Sequence, residues 1–453
     1  MKRNIALFFI VIVSSFVAVQ PALAQEQQES PTLVLISNVN IFDGKTEKLH
    51  KNMHVLVKDN LIEKVSKEPL AVVQTDNVTM IDGGGRTLMP GLIDAHWHSL
   101  FVNAPLAVLL ASDFGYMNLV AAEGAEKTLM RGFTTVRDVG GAGFAIQKAT
   151  DNGLIKGPRV YPSGALISQT SGHWDFRGPN DVPANPTDPL TYLEKNSIIM
   201  VADGVIEVTK RVREQLRNGA TQIKLAAGGG VSSNYDPLDV AQYTFEELKA
   251  AVDVAKTWNT YVAVHVFTDE GAQTAIKAGV MSIEHGNLMT EETFKMMKEK
   301  GVWFGMQPIL NDEDAMAFPP GSSQEKKFIH VTDGTVEGIK LAKKLGVKTA
   351  FGTDLIFDPV AAKKHGKMLA KLKQWYSPYE ILNMATANNA ELVKMCGPRD
   401  PYPGKLGVIE EGALADMILV DGNPLENIDL VADPDNKFVI IMKDGKIYKN
   451  TIK

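Results

Sequence analysis

The chain has 453 residues, of which 45% are hydrophobic and 22% are charged, proportions that are typical of globular proteins. Its net charge is −6 and its basic residues form no cluster, which argues against nucleic acid and anionic membrane surfaces as partners. The only cysteine, Cys396, follows an apolar helical pattern and is expected to be structural. A lone cysteine also excludes an internal disulfide and a metal site made of several cysteines.

The first residues have the pattern of an export signal. A positively charged start precedes an apolar run at residues 5–19, and the small residues Ala22 and Ala24 match an A-x-A cleavage site. An uncleaved membrane anchor is the alternative, but this run is short for a span of ~20 residues and no later run has that length. We therefore expect residues 1–24 to be a signal peptide, with Gln25 as the mature N-terminus of a periplasmic or secreted protein.

Both ends of the remaining chain are rich in short, strand-like stretches. Residues 25–88 contain several of them, and residues 401–453 repeat the pattern. Asp-Gly pairs mark turns in both parts, at residues 43–44 and 444–445. The simplest packing brings the two parts together, so we predict a small β-sandwich domain built from both chain ends.

The middle of the chain, residues 89–400, alternates short apolar strands with amphipathic helices, the pattern of repeated βα units. The eight predicted strands are at residues 91–95, 134–136, 160–163, 222–225, 262–264, 282–284, 303–306 and 349–352. The clearest helical periodicity is at residues 119–130, 244–258, 270–278 and 291–299. Eight units predict an α/β fold, a (β/α)8 TIM barrel. An open doubly wound sheet is the alternative, but no glycine-rich dinucleotide loop follows an early strand. The polar segment 168–197 is expected to form a loop over the barrel mouth.

Side chains that are able to bind metal follow the predicted barrel strands. His96 and His98 are two positions apart at the end of the first strand, so their imidazoles point to the same face. The other candidates lie in or at the ends of later strands, and they are Lys224, His265, His285 and Asp354. A single histidine on an apolar strand is usually a core residue. Here, by contrast, four histidines and an aspartate lie at the end of the barrel where active sites are found. They predict a metal site, with ligands that suit zinc or a similar ion.

Lys224 lies within an apolar strand, close to the predicted ligands. An ammonium group is unfavourable beside metal cations. Either this lysine pairs with a buried carboxylate, or CO₂ carboxylates its ε-amine and turns the cation into an anion that is able to bridge two metals. The residues alone leave both alternatives open.

Three motifs around these residues resemble those of the amidohydrolase superfamily, in the branch with imidazolonepropionase-like and Xaa-Pro dipeptidase (prolidase-like) members. They are LMPGLIDAHWH at residues 88–98, GFTTVRD at 132–138 and GVIEEGALAD at 407–416. The likeness covers nearly the whole mature chain, and it implies two divalent metal ions, with zinc as the expected metal. The implied ligands are His96, His98 and Asp354 for one ion, His265 and His285 for the other, and carboxylated Lys224 as the bridge.

The expected mechanism follows from this chemistry. Two metals lower the pKa of a bridging water and polarise the scissile carbonyl, and Asp354 passes the proton of the resulting hydroxide to the leaving nitrogen. His173 resembles the position of a carbonyl-polarising or substrate-binding histidine, although a solvated loop histidine is the alternative. Tyr235 and Arg137 are candidates for binding a substrate carboxylate, and for Arg137 an ion pair with a barrel carboxylate is equally compatible. The histidines interpreted as surface or structural residues are His50, His54, His330 and His365.

We expect a metal-dependent hydrolase that cleaves the carbon–nitrogen bond of Xaa-Pro-like dipeptides or of N-acyl amino acids with a free carboxylate. The alternatives are an imidazolonepropionase-like cyclic amide hydrolase and a phosphotriesterase-like hydrolase. A periplasmic metal- or solute-binding protein is the non-enzyme alternative, but a structural metal would not need a proton-shuttling Asp354. Beyond the small-molecule or dipeptide substrate we expect no nucleic acid and, after signal cleavage, no membrane as a partner. A homo-oligomer is compatible with the sequence.

Overall fold

The structure is a computed structural model that describes residues 31–178, 180–181 and 188–452. The predicted signal peptide lies outside these residues. The strands of the described part, numbered in chain order, are β1 Leu33–Ile41, β2 His50–Lys58, β3 Leu61–Ser66, β4 Val78–Asp82, β5 Thr87–Pro90, β6 Leu92–Trp97, β7 Phe133–Asp138, β8 Arg159–Pro162, β9 Leu166–Ser168, β10 Ile199–Val201, β11 Ile223–Ala226, β12 Val262–Val266, β13 Ser282–His285, β14 Trp303–Met306, β15 Thr349–Phe351, β16 Met417–Val420, β17 Phe438–Lys443 and β18 Lys446–Asn450. The α-helices are α1 Leu106–Ala111, α2 Phe114–Met130, α3 Phe144–Asp151, α4 Tyr192–Lys195, α5 Gly204–Arg217, α6 Phe245–Thr257, α7 Asp269–Ala278, α8 Glu291–Lys300, α9 Ser323–Leu345, α10 His365–Lys371, α11 Pro378–Asn383, α12 Asn389–Lys394 and α13 Pro434–Lys437.

One eight-stranded sheet takes its strands from both ends of the chain. Its order is β18-β17-β16-β5-β1-β2-β3, with β4 paired to β1. Strand β5 joins the two parts, because it pairs in parallel with β1 and antiparallel with β16. Ile36, Val55 and Met417 are fully buried in an apolar cluster that spans both parts. The two chain ends therefore meet in one sheet, and the two-layer sandwich stays a prediction.

The barrel strands form two parallel ladders. One joins β6, β7 and β8, and the other has the order β10-β9-β11-β12-β13-β14-β15. The third barrel strand is interrupted, because β8 pairs with β7 whereas β9, a little further along the chain, pairs with β11. The first and last strands meet where the backbone N–H of Asp354 donates to the carbonyl of His96 at 3.0 Å. This α/β arrangement is the TIM barrel that the sequence predicts.

Helices α2, α6, α7 and α8 cover the four segments that the periodicity predicts to be helical. Helix α6 begins with a capping box in which Thr244 and Glu247 satisfy each other's backbone N–H groups. Helices α7 and α8 are followed by Gly279 and Gly301, both in the left-handed conformation that glycine adopts without strain. In the part of the chain that the structure describes, no helix combines the length and the apolar character needed to cross a bilayer.

Candidate active site

Three predicted metal ligands converge at the C-terminal end of the barrel. His96 in β6 and His98 just after it face Asp354, which follows β15. The Nε2 atoms of His96 and His98 lie 3.6 Å and 3.4 Å from Asp354 Oδ1. One ligand atom from each of the three residues lies within 4.8 Å of the others. This spacing of two imidazoles and a carboxylate suits a shared divalent ion.

Hydrogen bonds fix which nitrogen of His96 and His98 faces Asp354. Nδ1 of His96 lies 2.8 Å from Glu284 Oε2, and the ionised carboxylate accepts its proton. Nδ1 of His98 donates to the carbonyl of Gly140 at 2.9 Å. Each Nε2 is then left as a lone-pair donor, which is the arrangement that metal-binding histidines require.

His265 and His285 form the neighbouring half of the cluster. His265 in β12 donates its Nε2–H to the carbonyl of Gly229 at 3.1 Å, which leaves its Nδ1 as the lone-pair atom. The ring of His285, at the end of β13, has its centroid 4.5 Å from that of His265 and 4.8 Å from that of His96. Its Nδ1 lies 3.9 Å from Asp354 Oδ2. The Asp354 carboxylate therefore lies near His96 and His98 on one side and His285 on the other.

Four buried polar atoms of this cluster lack a hydrogen-bond partner among the described residues, and they are His96 Nε2, His265 Nδ1, Lys224 Nζ and Asp354 Oδ1. Folded proteins pair nearly all buried polar groups, so unpaired imidazole and carboxylate lone pairs at one point fit the ligands of divalent metals. Lys224 is fully buried, and its Nζ has no hydrogen-bond partner among the described residues. Its ammonium group fits this donor set only when its charge is removed or reversed.

The charge state of the cluster also fits metal binding. Burial and the nearby Lys224 lower the pKa of His96 to about 4, and burial holds the pKa values of His265 and His285 well below the ordinary range. The imidazoles are therefore neutral near pH 7, the form that binds metals. Burial raises the pKa of Asp354, but the surrounding histidines outweigh it and keep the carboxylate ionised. Burial lowers the pKa of Lys224 to about 8.

The backbone is strained at two residues of the cluster. His285 and Asp354 have φ values of 76° and 51°, in the left-handed region that non-glycine residues avoid. Such strain costs about 1–3 kcal/mol per residue and persists where the surrounding structure imposes it, which is common at functional sites. Both residues directly follow buried barrel positions, so the barrel holds their side chains in the shared pocket.

His173 reaches this cluster from the loop that follows β9. Its ring stacks on that of His265, with centroids 4.0 Å apart. Its Nδ1 lies 2.7 Å from Ser233 Oγ and 3.3 Å from Asp236 Oδ2. Asp236 is itself buried and also accepts the backbone N–H of Gly230 at 2.7 Å. The structure thus places His173 in the site with a carboxylate behind it, not in solvent.

The two predicted carboxylate-binding residues lie elsewhere. Arg137 is fully buried in β7, where its guanidinium forms an ion pair with Glu284 at 2.6 Å. The pairing with a barrel carboxylate, which the sequence leaves open, is the arrangement observed, and we do not assign Arg137 to the substrate. Tyr235 is 49% exposed and is absent from the described residues that line the cavity above the cluster. Its loop is nevertheless the one that carries Asp236.

Sequence reasoning missed the residues that support the ligands. Glu284 contacts both His96 and Arg137. Asp94 accepts the backbone N–H of His96 and the Nε2–H of His365. His365 is fully buried, so of the two roles that the sequence leaves open for it, surface or structural, the structure shows the structural one. The only local signals are the position of Asp94 two residues before His96 and that of Glu284 directly before His285. A carboxylate beside a predicted ligand is a candidate for orienting a ligand histidine.

A cavity opens above the cluster, and His173, His265, His285 and Asp354 form its floor. Its walls are largely apolar and include Trp174, Phe267, Ile309, Met316, Phe318, Phe328, Val331 and Leu355. A largely apolar pocket that also contains a few polar groups is typical of a small-molecule site.

Comparison with known proteins supports the interpretation of the cluster and its cavity as an active site. The model of the Amidohydrolase family matches residues 87–453. The chain belongs to the amidohydrolase family. Ochratoxinase from Aspergillus niger is 32% identical over 446 residues, which cover 95% of this chain and 89% of that protein.

Solved structures point to the same branch of the family. A prolidase complexed with N-methylphosphonate-L-proline is 34% identical, with a TM-score of 0.84 over 93% of this chain and 100% of that chain. A Xaa-Pro dipeptidase with methionine bound in its active site is 29% identical, with a TM-score of 0.79 over 92% of this chain and 100% of that one. The predicted membership of the prolidase-like branch is confirmed, and this amidohydrolase is an enzyme that hydrolyses carbon–nitrogen bonds of small-molecule substrates.

Proposed function

We propose that this amidohydrolase uses two divalent metal ions, with zinc as the expected metal, to cleave dipeptides or N-acyl amino acids that carry a free carboxylate. The observation that carries the proposal is the group of unpaired lone pairs on His96, His265 and Asp354 in one buried cluster. His96, His98 and Asp354 would hold one ion, and His265 and His285 the other. Lys224, carboxylated on Nζ, would bridge them.

The metals, when bound, supply an acidified water and a polarised scissile carbonyl. The chain supplies the proton transfer. Asp354 is ionised and lies near both His96 and His285, so it accepts the proton of the attacking water and delivers it to the leaving nitrogen. His173 presents the edge of its ring opposite Nδ1 to the cavity, because Ser233 and Asp236 occupy the Nδ1 side. With Nδ1–H directed at Asp236, the Nε2 atom donates a hydrogen bond to a substrate oxygen when the ring is protonated on both nitrogens, the state that the Asp236 carboxylate favours.

The requirement for a free carboxylate on the substrate is proposed from the relatives and from the position of His173. One similar structure, a prolidase, contains N-methylphosphonate-L-proline, a proline derivative, and another is a Xaa-Pro dipeptidase. His173, with Asp236 behind it, is the group that we assign to the carboxylate, and Tyr235 is a further candidate if its loop brings it inwards. We further propose that residues 1–24 are removed on export, so that the enzyme acts in the periplasm or outside the cell.

Hydrolysis of matched substrates by protein of known metal content tests the proposal. Metal-loaded protein should contain close to two equivalents of divalent ion and cleave free-acid dipeptides or N-acyl amino acids at least ~10-fold faster than their C-terminal amides, since a buried polar group left unpaired rejects the analogue. Lys224→Ala should lose metal and activity together. Equal rates on free acids and amides would show that the enzyme does not recognise a substrate carboxylate. Full activity with one equivalent of metal or none would rule out the two-metal mechanism.

A further inference from the structure

Gln307 is a buried residue of the cavity that the proposed mechanism does not use. It directly follows β14, which ends at Met306. It is only 4% exposed and lines the cavity above the metal-ligand cluster. Its Oε1 atom is buried and has no hydrogen-bond partner among the described residues. Folded proteins pair nearly all buried polar groups, so an unpaired amide end in a cavity wall is a candidate for contact with a ligand.

The other end of the same carboxamide faces a hydrogen-bond donor. Nε2 of Gln307 lies 3.1 Å from Nδ1 of His96, and this Nδ1 also lies 2.8 Å from Glu284 Oε2. The guanidinium of Arg137 and the hydroxyl of Ser282 both donate to Glu284 Oε1. The Glu284 carboxylate is therefore ionised and accepts the Nδ1 proton of His96. It follows that the NH₂ group of Gln307 and the Nδ1–H of His96, both donors, point at each other.

A half-turn of the Gln307 carboxamide removes this donor–donor contact. The oxygen and NH₂ ends of an amide have nearly the same shape, so the surrounding hydrogen bonds decide which end is which. After the half-turn, Oε1 faces the Nδ1–H of His96 as an acceptor, beside Glu284. The NH₂ group takes the place of the unpaired oxygen. Gln307 then presents a hydrogen-bond donor that has no partner among the described residues.

The strand order places Gln307 beside the reacting part of the cavity. Strands β13, β14 and β15 are neighbours in the parallel ladder, and His285, Gln307 and Asp354 lie at or just after their ends. The backbone N–H of Gly352 donates to the carbonyl of Met306, directly before Gln307, at 3.0 Å. Gln307 is thus located between His285 and Asp354, and all three line the cavity. A substrate amide that reacts at this floor lies next to the Gln307 side chain.

The chemistry of the two amides decides which substrate atom Gln307 meets. An NH₂ group only donates, and the only strong acceptor of a scissile amide is its carbonyl oxygen. We infer that Gln307 is a catalytic residue whose NH₂ group donates a hydrogen bond to the scissile carbonyl oxygen. This oxygen gains negative charge as the amide carbon becomes tetrahedral, so the hydrogen bond is stronger in the transition state than in the bound substrate. No proton leaves Gln307. The inference rests on the proposed amide hydrolysis and adds a residue to its mechanism.

Gln307→Met tests the inference, because methionine has nearly the same length but no N–H. The substrate is whichever of glycyl-L-proline, acetyl-L-proline and acetyl-L-phenylalanine the wild type cleaves fastest. At equal metal loading we expect kcat to fall ~100-fold or more while KM changes less than ~3-fold, the scale and the pattern of losing one oxyanion donor. Gln273→Met is the matched control. Gln273 lies on α7, donates to Thr293 Oγ1 at 2.9 Å and is not among the described cavity residues, so kcat should stay near the wild-type value.

Binding of a tetrahedral probe adds a measurement that needs no turnover. N-methylphosphonate-L-proline has phosphorus-bound oxygens in place of the scissile carbonyl, so it shares contacts with the transition state. Its Kd, measured by calorimetry, should rise ~10-fold or more in Gln307→Met and stay at the wild-type value in Gln273→Met. An unchanged kcat or an unchanged Kd in Gln307→Met would overturn the inference. Loss of metal from this variant, measured by elemental analysis, would also overturn it, because the amide would then support His96 instead.

The wild type separates this inference from the proposed function. If it cleaves none of the three amides but binds the phosphonate, amide hydrolysis is rejected and the Kd comparison still decides whether Gln307 contacts the ligand. If it neither cleaves the amides nor binds the phosphonate, both the proposed function and the role of Gln307 are rejected. Cleavage that is equally fast in Gln307→Met leaves amide hydrolysis standing and rejects only the role of Gln307.

Discussion

The role of His173 depends on the residues that surround it. Its position after a barrel strand is visible in the sequence, but its environment is set by Ser233 and Asp236, some sixty residues away. Burial lowers the pKa of His173, and Asp236 opposes this shift. Lys327 fixes the loop from the other side, because its Nζ donates to the carbonyls of Gly230 and Asp236 at 3.0 Å and 2.8 Å. The loop therefore holds the Asp236 carboxylate against the imidazole.

Asp236→Asn tests whether this carboxylate positions His173 for a substrate oxygen. The amide keeps the shape but loses the charge, so we expect KM for free-acid substrates to rise ~10-fold, the scale of one charge-assisted hydrogen bond. The rate on C-terminal amides and the metal content should stay near wild-type values. Asp239→Asn, a change of an exposed residue in the same loop, is the control. A parallel loss on acids and amides would indicate a structural role for Asp236 instead.

The residues that could be predicted are those whose signal is local. A common local signal is a position at or just after the end of a short apolar strand, and it is shared by His96, His98, His265, His285 and Asp354. The barrel brings strand ends together whatever the intervening sequence. The supporting carboxylates could not be assigned, because their partners are remote in the chain. Glu284 orients a histidine 188 positions away, and Asp94 bonds His365 across 271 positions. Spacing in the sequence contains no information about such pairs.

At the scale of elements, one feature of the barrel and one of the sheet escape prediction for different reasons. Strand β9 is only three residues long and follows an interruption, so its alternation is too short to recognise. The sequence predicts that the two chain ends meet, but not which strands pair, because partners such as β5 and β16 are more than 300 residues apart. The helices with clear periodicity and caps, α6 to α8, were predicted within one or two residues of their observed ends, because both signals are local.

Asp94 links three elements around the metal ligands. Its Oδ1 accepts the backbone N–H of His96 at 2.8 Å, and its Oδ2 accepts the hydroxyl of Thr353 at 2.6 Å and Nε2–H of His365 at 2.8 Å. Strand β6 is thereby tied to the segment before Asp354 and to α10. The His365 ring lies between Phe133 and Trp97, with centroid distances of 3.4 Å and 4.6 Å. The arrangement sets the distance between His96 and Asp354.

We therefore predict that loosening this link weakens metal retention. His365→Phe keeps a ring in the stack but removes the hydrogen bond to Asp94, and Asp94→Asn removes the shared acceptor charge. Both variants should release metal to a chelator ~10-fold faster or more than the wild type, the range seen when support of metal ligands is removed. Asp82→Asn, a change of an exposed residue in β4, should retain metal as the wild type does. Unchanged release from both variants would show that the link does not position the ligands.

At the scale of the whole molecule, the barrel and the sheet from the chain ends are joined by a buried ion pair. Arg159 begins β8 of the barrel, and its guanidinium contacts Asp416 at 3.0 Å and Asp444 at 2.6 Å. Asp416 and Asp444 flank strands of the sheet, and Asp416 also accepts the backbone N–H of Asp444 at 2.7 Å. The side chains of Arg159 and Asp416 are 6% and 4% exposed. Solvent therefore screens this contact little, unlike the surface pair of Arg86 with Asp421.

Arg159→Met should lower the thermal midpoint of unfolding without removing the metal ligands. The substitution leaves the Asp416 carboxylate buried without its cation, and breaking one side of a buried pair costs about 3–5 kcal/mol. For a chain of this size we expect Tm to fall by roughly 5 °C or more. Arg86→Met removes a pair whose side chains are 33% and 48% exposed, so its Tm should change by about 1 °C or less, since exposed pairs contribute about 0–1 kcal/mol. Calorimetry of the two variants at equal metal loading measures both Tm values. Equal Tm values for both would mean that the barrel and the sheet are held together by apolar packing alone, with the ion pair contributing no more than a surface contact.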